Sequence, residues 1–251
     1  MNRQAAGSLL GCWLLWLLGA CLALQVGFIG RIALMAWMDP QSTAFQRSEA
    51  WRLATSTKQP QWSQQWLDYE HISPQLKRAV IASEDGGFTG HEGVEWDAIE
   101  SAWLRNEKRA QQAEQAVARA KDPAKIKPAR IVGGSTITQQ LAKNLLLSGE
   151  RNLLRKGQEL VLTLALEACL NKRRILEIYL NSVEWGEGVF GAEAAAWRYF
   201  GKSASALSAA EAARLAVLLP APKRYEQRPN SAYLAGRSAT VLARMGAVTP
   251  P

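Results

Sequence analysis

Cysteine is scarce in this sequence, with three in 251 residues. Cys12 and Cys21 lie in an apolar N-terminus and Cys169 stands alone in a helical pattern, so no disulfide framework is expected. No run alternates with period two, so strands should be few and the class mainly α. Zinc-ligand spacing, a helix-turn-helix signature and aromatic–basic interleaving are all missing, which argues against nucleic acid as a partner. Charge of neither sign dominates. The net +8 is modest, yet it suits an anionic partner such as a lipid surface or a pyrophosphate. With 48% hydrophobic residues the chain can bury one sizeable core, divided into lobes or not.

What the sequence does have is one long apolar run, Ser8 to Gly30, broken only by Gln25. As a helix it spans about 34 Å, enough for a hydrocarbon core of about 30 Å. Arg3 and the amino terminus precede it, which places the N-terminus in the cytoplasm and everything after Arg31 outside the inner membrane. A cleaved signal is the rival reading, since LGAC at Leu18–Cys21 resembles a lipoprotein processing site. The run continues through Leu22, Leu24, Val26, Phe28 and Ile29, however, and favours an uncleaved anchor. The expected organisation is a cytoplasmic tail (1–7), a transmembrane signal anchor (8–38), a polar connector packed on the domain surface (39–71) and one periplasmic domain (72–251).

Within that domain, Ser73-Pro74 is a helix start, with Ser as N-cap and Pro at the first helical position. The helix delivers Glu84 and Asp85 just before Gly86-Gly87. A second helix is expected from near Val94, with Trp96, Ile99 and Trp103 at spacings of three and four. Between Arg105 and Arg130, eight basic residues face three acidic ones. That segment reads as a solvated extension returning at Pro123 and Pro128, or as a mobile basic flap near lipid headgroups. Leu153 to Leu170 is apolar on most faces and predicts a buried central helix. Ser208 and Glu211 form a capping box opening a helix from Ala209 to Leu219, which Pro220 ends.

Four blocks carry chemistry. The most informative is GGSTITQQLAKN, Gly133 to Asn144: a small-residue turn, hydroxyls at Ser135 and Thr136, amides at Gln139 and Gln140, then Lys143. Such a turn presents backbone N–H groups and a fixed cation to an anion. Ser135 is equally a good N-cap for an ordinary amphipathic helix. The others are EDGGFTGHEG (Glu84 to Gly93), RKGQE (Arg155 to Glu159) and KRRILEIYLN (Lys172 to Asn181). Glu159 falls one turn after Arg155, a spacing that an i,i+4 salt bridge explains. Leu176, Tyr179 and Leu180 read as core positions, and Asn181 as a helix end. The Gly-rich stretch EWGEGVFG (Glu184 to Gly191) reads as a flexible turn.

In this order the four blocks resemble glycosyltransferase family 51, the peptidoglycan glycosyltransferase domain of penicillin-binding proteins. The resemblance covers about Ile72 to Pro222, and 105–130 looks like an insertion against it. It implies a lysozyme-like, two-lobed fold with a smaller membrane-dipping lobe. It implies that lipid II is polymerised into β-1,4-linked strands, by inversion, with release of undecaprenyl pyrophosphate. Glu84 matches the catalytic base, which takes a proton from the acceptor hydroxyl, and Glu159 the second essential carboxylate. Asp85, Phe88 and His91 surround Glu84 in the matched block; His91 is by type either a base or, the reading favoured, a brace for the loop that aims Glu84. Ser135, Thr136, Gln139, Gln140, Lys143, Asn144, Arg151, Arg155 and Lys156 match the donor-binding positions around the pyrophosphate. The EWGEGVFG stretch falls beside the acceptor groove.

Mg²⁺ or another divalent cation is expected to share the pyrophosphate, with no dedicated metal site. Implied partners are lipid II, the lipid-linked glycan, the inner membrane, divisome proteins and penicillin-binding proteins. Ser-x-x-Lys and Lys-Thr-Gly do not occur, so no transpeptidase activity is expected. Two rivals stand against this reading: a glycan-cutting enzyme of the same shape, which needs no pyrophosphate cradle, and a non-catalytic membrane scaffold.

Overall fold

The computed structural model describes residues 3–56, 61–119, 134–147 and 153–251. It is mainly α, as the missing period-two pattern predicts. The helices are α1 (Arg3–Leu34), α2 (Ala44–Ser56), α3 (Pro74–Glu84), α4 (Trp96–Arg119), α5 (Ile137–Leu146), α6 (Leu153–Cys169), α7 (Lys172–Ser182), α8 (Ala192–Phe200), α9 (Ala209–Ala216), α10 (Pro222–Tyr225) and α11 (Ala232–Arg244). Three short strands, β1 (Ser63–Gln64), β2 (Glu184–Gly186) and β3 (Val189–Phe190), form one sheet in the order β1-β3-β2. β1 runs parallel to β3, Ser63 opposite Val189, and β2 runs antiparallel to it, Glu184 opposite Phe190. The stretch expected to be a flexible turn is therefore a hairpin. Gly188 closes it at φ +69°, where a Cβ would lie 2.1 Å from the Gln61 carbonyl oxygen, so only glycine fits.

Local chemistry sets the helix ends. Ser73 Oγ accepts from the Gln75 N–H at 3.2 Å, and Pro74 occupies a first-turn position that has no helical partner for an N–H. α3 stops when Asp85 leaves helical geometry, which places Glu84 on its last turn. α9 opens on the Ser208–Glu211 capping box but ends at Ala216, because residues 217–220, closing on Pro220, form a turn. For α5 the N-cap is Thr136 rather than Ser135. Thr136 Oγ1 accepts from the Gln139 N–H, and Gln139 Oε1 accepts from the Thr136 N–H, both at 3.2 Å. Ser135 lacks that reciprocal partner three residues on, and it is exposed.

Two apolar patterns lie partly at the surface, and for α6 this departs from the buried central helix expected. α4 begins at Trp96, and its Trp96 and Trp103 are 68% and 73% exposed. α6 is buried on one face only: Glu159, Leu162, Thr163 and Leu166 turn inward, while Leu160, Val161 and Leu164 face out. The basic segment continues α4 as far as Arg119, and its remainder lies outside the described residues.

The core gathers α3, α5, α7 and α9 around Trp185, Tyr179, Phe88 and Leu76. α1 belongs to it as well, because Ile32 and Met35 are buried there. At about 2 kcal/mol for each such side chain, that contact is a material part of the fold. Arg174 on α7 clamps the end of α1 by donating to the carbonyls of Met35 (2.7 Å) and Met38 (3.0 Å) and to Asp39 Oδ1 (2.7 Å). Further along, Gln25 and Gln158 exchange two amide hydrogen bonds of 2.9 Å, so the one polar break in the apolar run docks on α6. The connector contributes α2 and β1. Asn181 does not end α7; its side chain pairs with both backbone groups of Leu67 and holds the connector.

Candidate active site

Glu84 sits partly buried at the end of α3. Its Oε2 accepts from Gln140 Nε2 at 3.1 Å and its Oε1 from Ser83 Oγ at 3.2 Å. The Gln140 amide is itself oriented, because the Tyr179 hydroxyl donates to Gln140 Oε1 at 3.0 Å and leaves the NH₂ facing Glu84. Burial pushes the Glu84 carboxyl above its ordinary range, and the Gln140 and Ser83 bonds offset part of that rise. Burial also raises the Tyr179 phenol well above its usual value, helped by the charges of Glu84 and Asp85, so it stays a donor.

Behind Glu84 lies a frame of buried polar groups. Asp85 Oδ2 accepts from the Ile137 N–H at 2.9 Å, an anion at the positive end of α5, and Oδ1 lies 2.9 Å from His91 Nε2. His91 Nδ1 accepts from the Gly93 N–H at 3.0 Å, which assigns the ring proton to Nε2 and lets it donate to Asp85. Thr136 Oγ1 donates to the Gly93 carbonyl at 2.6 Å. Gly93 has φ +83°, and a Cβ there would come within 2.7 Å of Thr163 Cγ2. Phe88 is fully buried beneath this loop. Asp85, Phe88, Thr136 and Gln139 thus take protein contacts, and His91 braces the Glu84 loop through Asp85.

On α6, both Glu159 oxygens are paired: Oε2 with Arg155 at 3.0 Å and Oε1 with Lys156. The i,i+4 salt bridge forms, and Glu159 is buried, so it holds two cations in place rather than merely decorating a surface. Arg151 lies outside the described residues.

One cleft of about 320 Å³ draws these elements together. Gln140, Lys143, Asn144 and Arg155 line it, with apolar walls from Phe45 and Leu147. Glu84 stands one hydrogen bond behind that lining, through Gln140. A larger cavity of about 670 Å³ between α8, α9 and α11 contains none of the candidate residues, so chemistry and not size selects the smaller one. Glu184 also lines the cleft, from β2. Burial drives its carboxyl up to about 7, with Lys223 pulling down and Glu49 pushing further up. The sequence names Glu184 as the start of a turn, which the family resemblance sets beside the acceptor groove; no local spacing marks the residue itself.

The sequence is similar to known proteins over most of its length. The transglycosylase family model matches residues 50–246. The chain is 49% identical over 232 residues to a protein of Paraburkholderia phytofirmans named biosynthetic peptidoglycan transglycosylase, covering 92% of this chain and 89% of that one. Relatives of the same name in Burkholderia orbicola and Bordetella avium are 50% identical over 234 residues and 49% over 249; the alignments cover 93% and 99% of this chain and 88% and 96% of theirs.

Proposed function

We propose, for a chain that belongs to the transglycosylase family, that it polymerises lipid II through one cleft in which a carboxylate and fixed cations divide the work. The chain is a peptidoglycan transglycosylase, a glycosyltransferase with the lysozyme-like domain of that family. Glu84 accepts the proton of the acceptor sugar's hydroxyl, and a raised carboxyl makes the stronger base once ionised. The hydroxyl oxygen bonds to the anomeric carbon of the donor. The bond from that carbon to the phosphate oxygen breaks, and its electron pair leaves with undecaprenyl pyrophosphate. Attack opposite an α-linked leaving group inverts the centre and yields a β-1,4 bond.

Lys143 and Arg155 receive the growing negative charge, with Lys156 beside them and Glu159 fixing Arg155 and Lys156. Arg151 is assigned to the same cation set from its sequence match. Gln140 orients Glu84, Asn144 lines the cleft beside Lys143, and Ser135 is assigned to the donor site from its sequence match alone. Asp85, Phe88, His91, Thr136 and Gln139 support binding by holding α5 and the Glu84 loop.

Glu159 and the Asp85–His91–Glu95 group do not fit a protein-held divalent cation. Both Glu159 oxygens are already paired, and Asp85, His91 and Glu95, a triad with ligand atoms within 4.8 Å of one another, have Asp85 committed to Ile137 and His91. Magnesium enters the proposal only as a counter-ion of the substrate phosphates.

α1, with a candidate span over Gly11–Leu34, supports a single-pass anchor. We assign its N-terminus to the cytoplasm and the catalytic domain to the periplasmic face of the inner membrane. Cross-linking is left to other proteins, since the transpeptidase motifs do not occur; penicillin-binding proteins and the division machinery are the partners this assignment calls for.

The observation that carries the reading is the meeting of Gln140, Lys143 and Arg155 on one cleft with Glu84 directly behind. The test is purified protein with labelled lipid II, comparing wild type and Glu84→Gln. Polymer is expected from the wild type, with a rate about 10³-fold lower in the variant; equal polymer from both refutes Glu84 as base. Neutralising Lys143 and Lys156 separates this enzyme from a glycan cutter, which would be barely affected.

A further inference from the structure

Glu184 is a buried, cleft-lining carboxylate that the reaction above does not use. Its side chain is 7% exposed, and Oε1 is buried with no hydrogen-bond partner among the described residues. Lys223 Nζ lies 3.4 Å from that oxygen without hydrogen-bond alignment. The same ammonium pairs closely with Glu49 and stands 3.8 Å from Glu187. Arg52 bonds Glu49 at 2.8 Å and also Glu187. Around Glu184, then, three carboxylates share two cations, and Glu184 is the least compensated of them. An acceptor buried in this state lowers stability until something donates to it.

The same cleft is lined from α5 and α6 by Lys143 and Arg155, which suit phosphate oxygens. A carboxylate repels anions, so its ligand is a donor, and the donors a saccharide carries are neutral. On a pyrophosphate-linked amino sugar the neutral donors are the sugar hydroxyls and the acetamido N–H. Carboxylates bind such donors with charge-assisted hydrogen bonds.

We propose that the Glu184 carboxylate is a sugar-binding residue of this cleft, accepting a hydrogen bond from a hydroxyl or acetamido N–H of the lipid-linked saccharide, while Lys223, Glu49 and Arg52 hold it in position. The proposal rests on the polymerase reading given above. It assigns separate duties to two kinds of lining residue, cations for the pyrophosphate and Glu184 for the sugar. The hairpin supplies the rigidity this needs, because β2 is pinned to β3 and β3 to β1. The rise of the Glu184 carboxyl supports the same view, since the free protein leaves this group short of partners.

The test is steady-state polymerisation of lipid II by the full chain in detergent, wild type against Glu184→Gln and Glu184→Asp, with undecaprenyl pyrophosphate as a sugar-free competitor. Losing a charge-assisted bond should raise the KM of Glu184→Gln about tenfold or more, with kcat within about twofold. Glu184→Asp should recover part of that loss. The inhibition constant of undecaprenyl pyrophosphate should not move in either variant, and the Tm of Glu184→Gln should equal or exceed that of the wild type. An unchanged KM overturns the proposal. So does a shifted inhibition constant, which would put Glu184 on the phosphates, or a lowered Tm with activity falling in step, which would make its role structural. If the wild type itself makes no polymer, the polymerase reading fails, an outcome distinct from a normal KM in Glu184→Gln.

Discussion

The inner and outer faces of α6 are built from the same kinds of residue at the same helical spacing, with opposite fates. Leu162 and Leu166 are buried without remainder, whereas Leu164, between them in sequence, is 51% exposed beside Leu160 and Val161. α4 repeats the pattern with Trp96 and Trp103. Periodicity reports that a helix has an apolar stripe; it does not report what covers it. In the topology proposed above, the outer stripe of α6 lies against the lipid beside α1, and a bilayer takes the place that a second helix would fill in a water-soluble protein.

The contrast can be broken by substitution. Leu162→Ala, on the inner face, should lower unfolding stability by about 2–5 kcal/mol through the cavity it leaves, as read by denaturant melts in detergent. A smaller loss than that would mean α6 is not seated in the core.

Glu184→Gln probes the buried side electrostatically. The wild-type carboxyl sits at about 7, above its ordinary 4.5, so the folded state binds the proton more tightly than the unfolded chain. Stability therefore falls as pH rises from about 4.5 to about 7, by up to ~3 kcal/mol, and is flat in this respect beyond either limit. Lys223, Glu49 and Glu187 are the charged neighbours that modulate this slope. The variant should lack it, so its Tm advantage should grow across that window. A constant difference between the two proteins at every pH would count against the assignment.

Leu164→Ser, on the outer face, should change stability in detergent by no more than about 0.5 kcal/mol. Its effect should emerge instead as weaker retention on lipid vesicles, read by flotation with the α1 anchor shared by both proteins. A full-sized stability loss would place Leu164 in protein packing.

Much of the fold is legible locally because helix caps are local events. Ser73-Pro74 and the Ser208–Glu211 box both act as their spacing implies. The same logic misplaces the α5 cap by one residue, since Ser135 and Thr136 carry equivalent hydroxyls and only the reach to Gln139 separates them. At the site, Glu84, Lys143, Arg155 and Glu159 could be picked out because each lies in a contiguous block. Asp85 could be named but not understood: its partner is a backbone N–H at Ile137, which only the folded chain brings near. Glu184 and Lys223 were illegible for the same reason. They come from β2 and α10 and meet Glu49 from α2, three segments with no shared spacing.

The Arg174 clamp and the burial of Ile32 and Met35 bear on how this protein leaves, or fails to leave, its membrane. A protease that trimmed the chain near residue 40 would not set free an intact soluble enzyme. It would pull two plugs from the interior, and Arg174 would lose three of its acceptors. In the topology proposed above, release from the anchor would therefore cost the domain part of its own core.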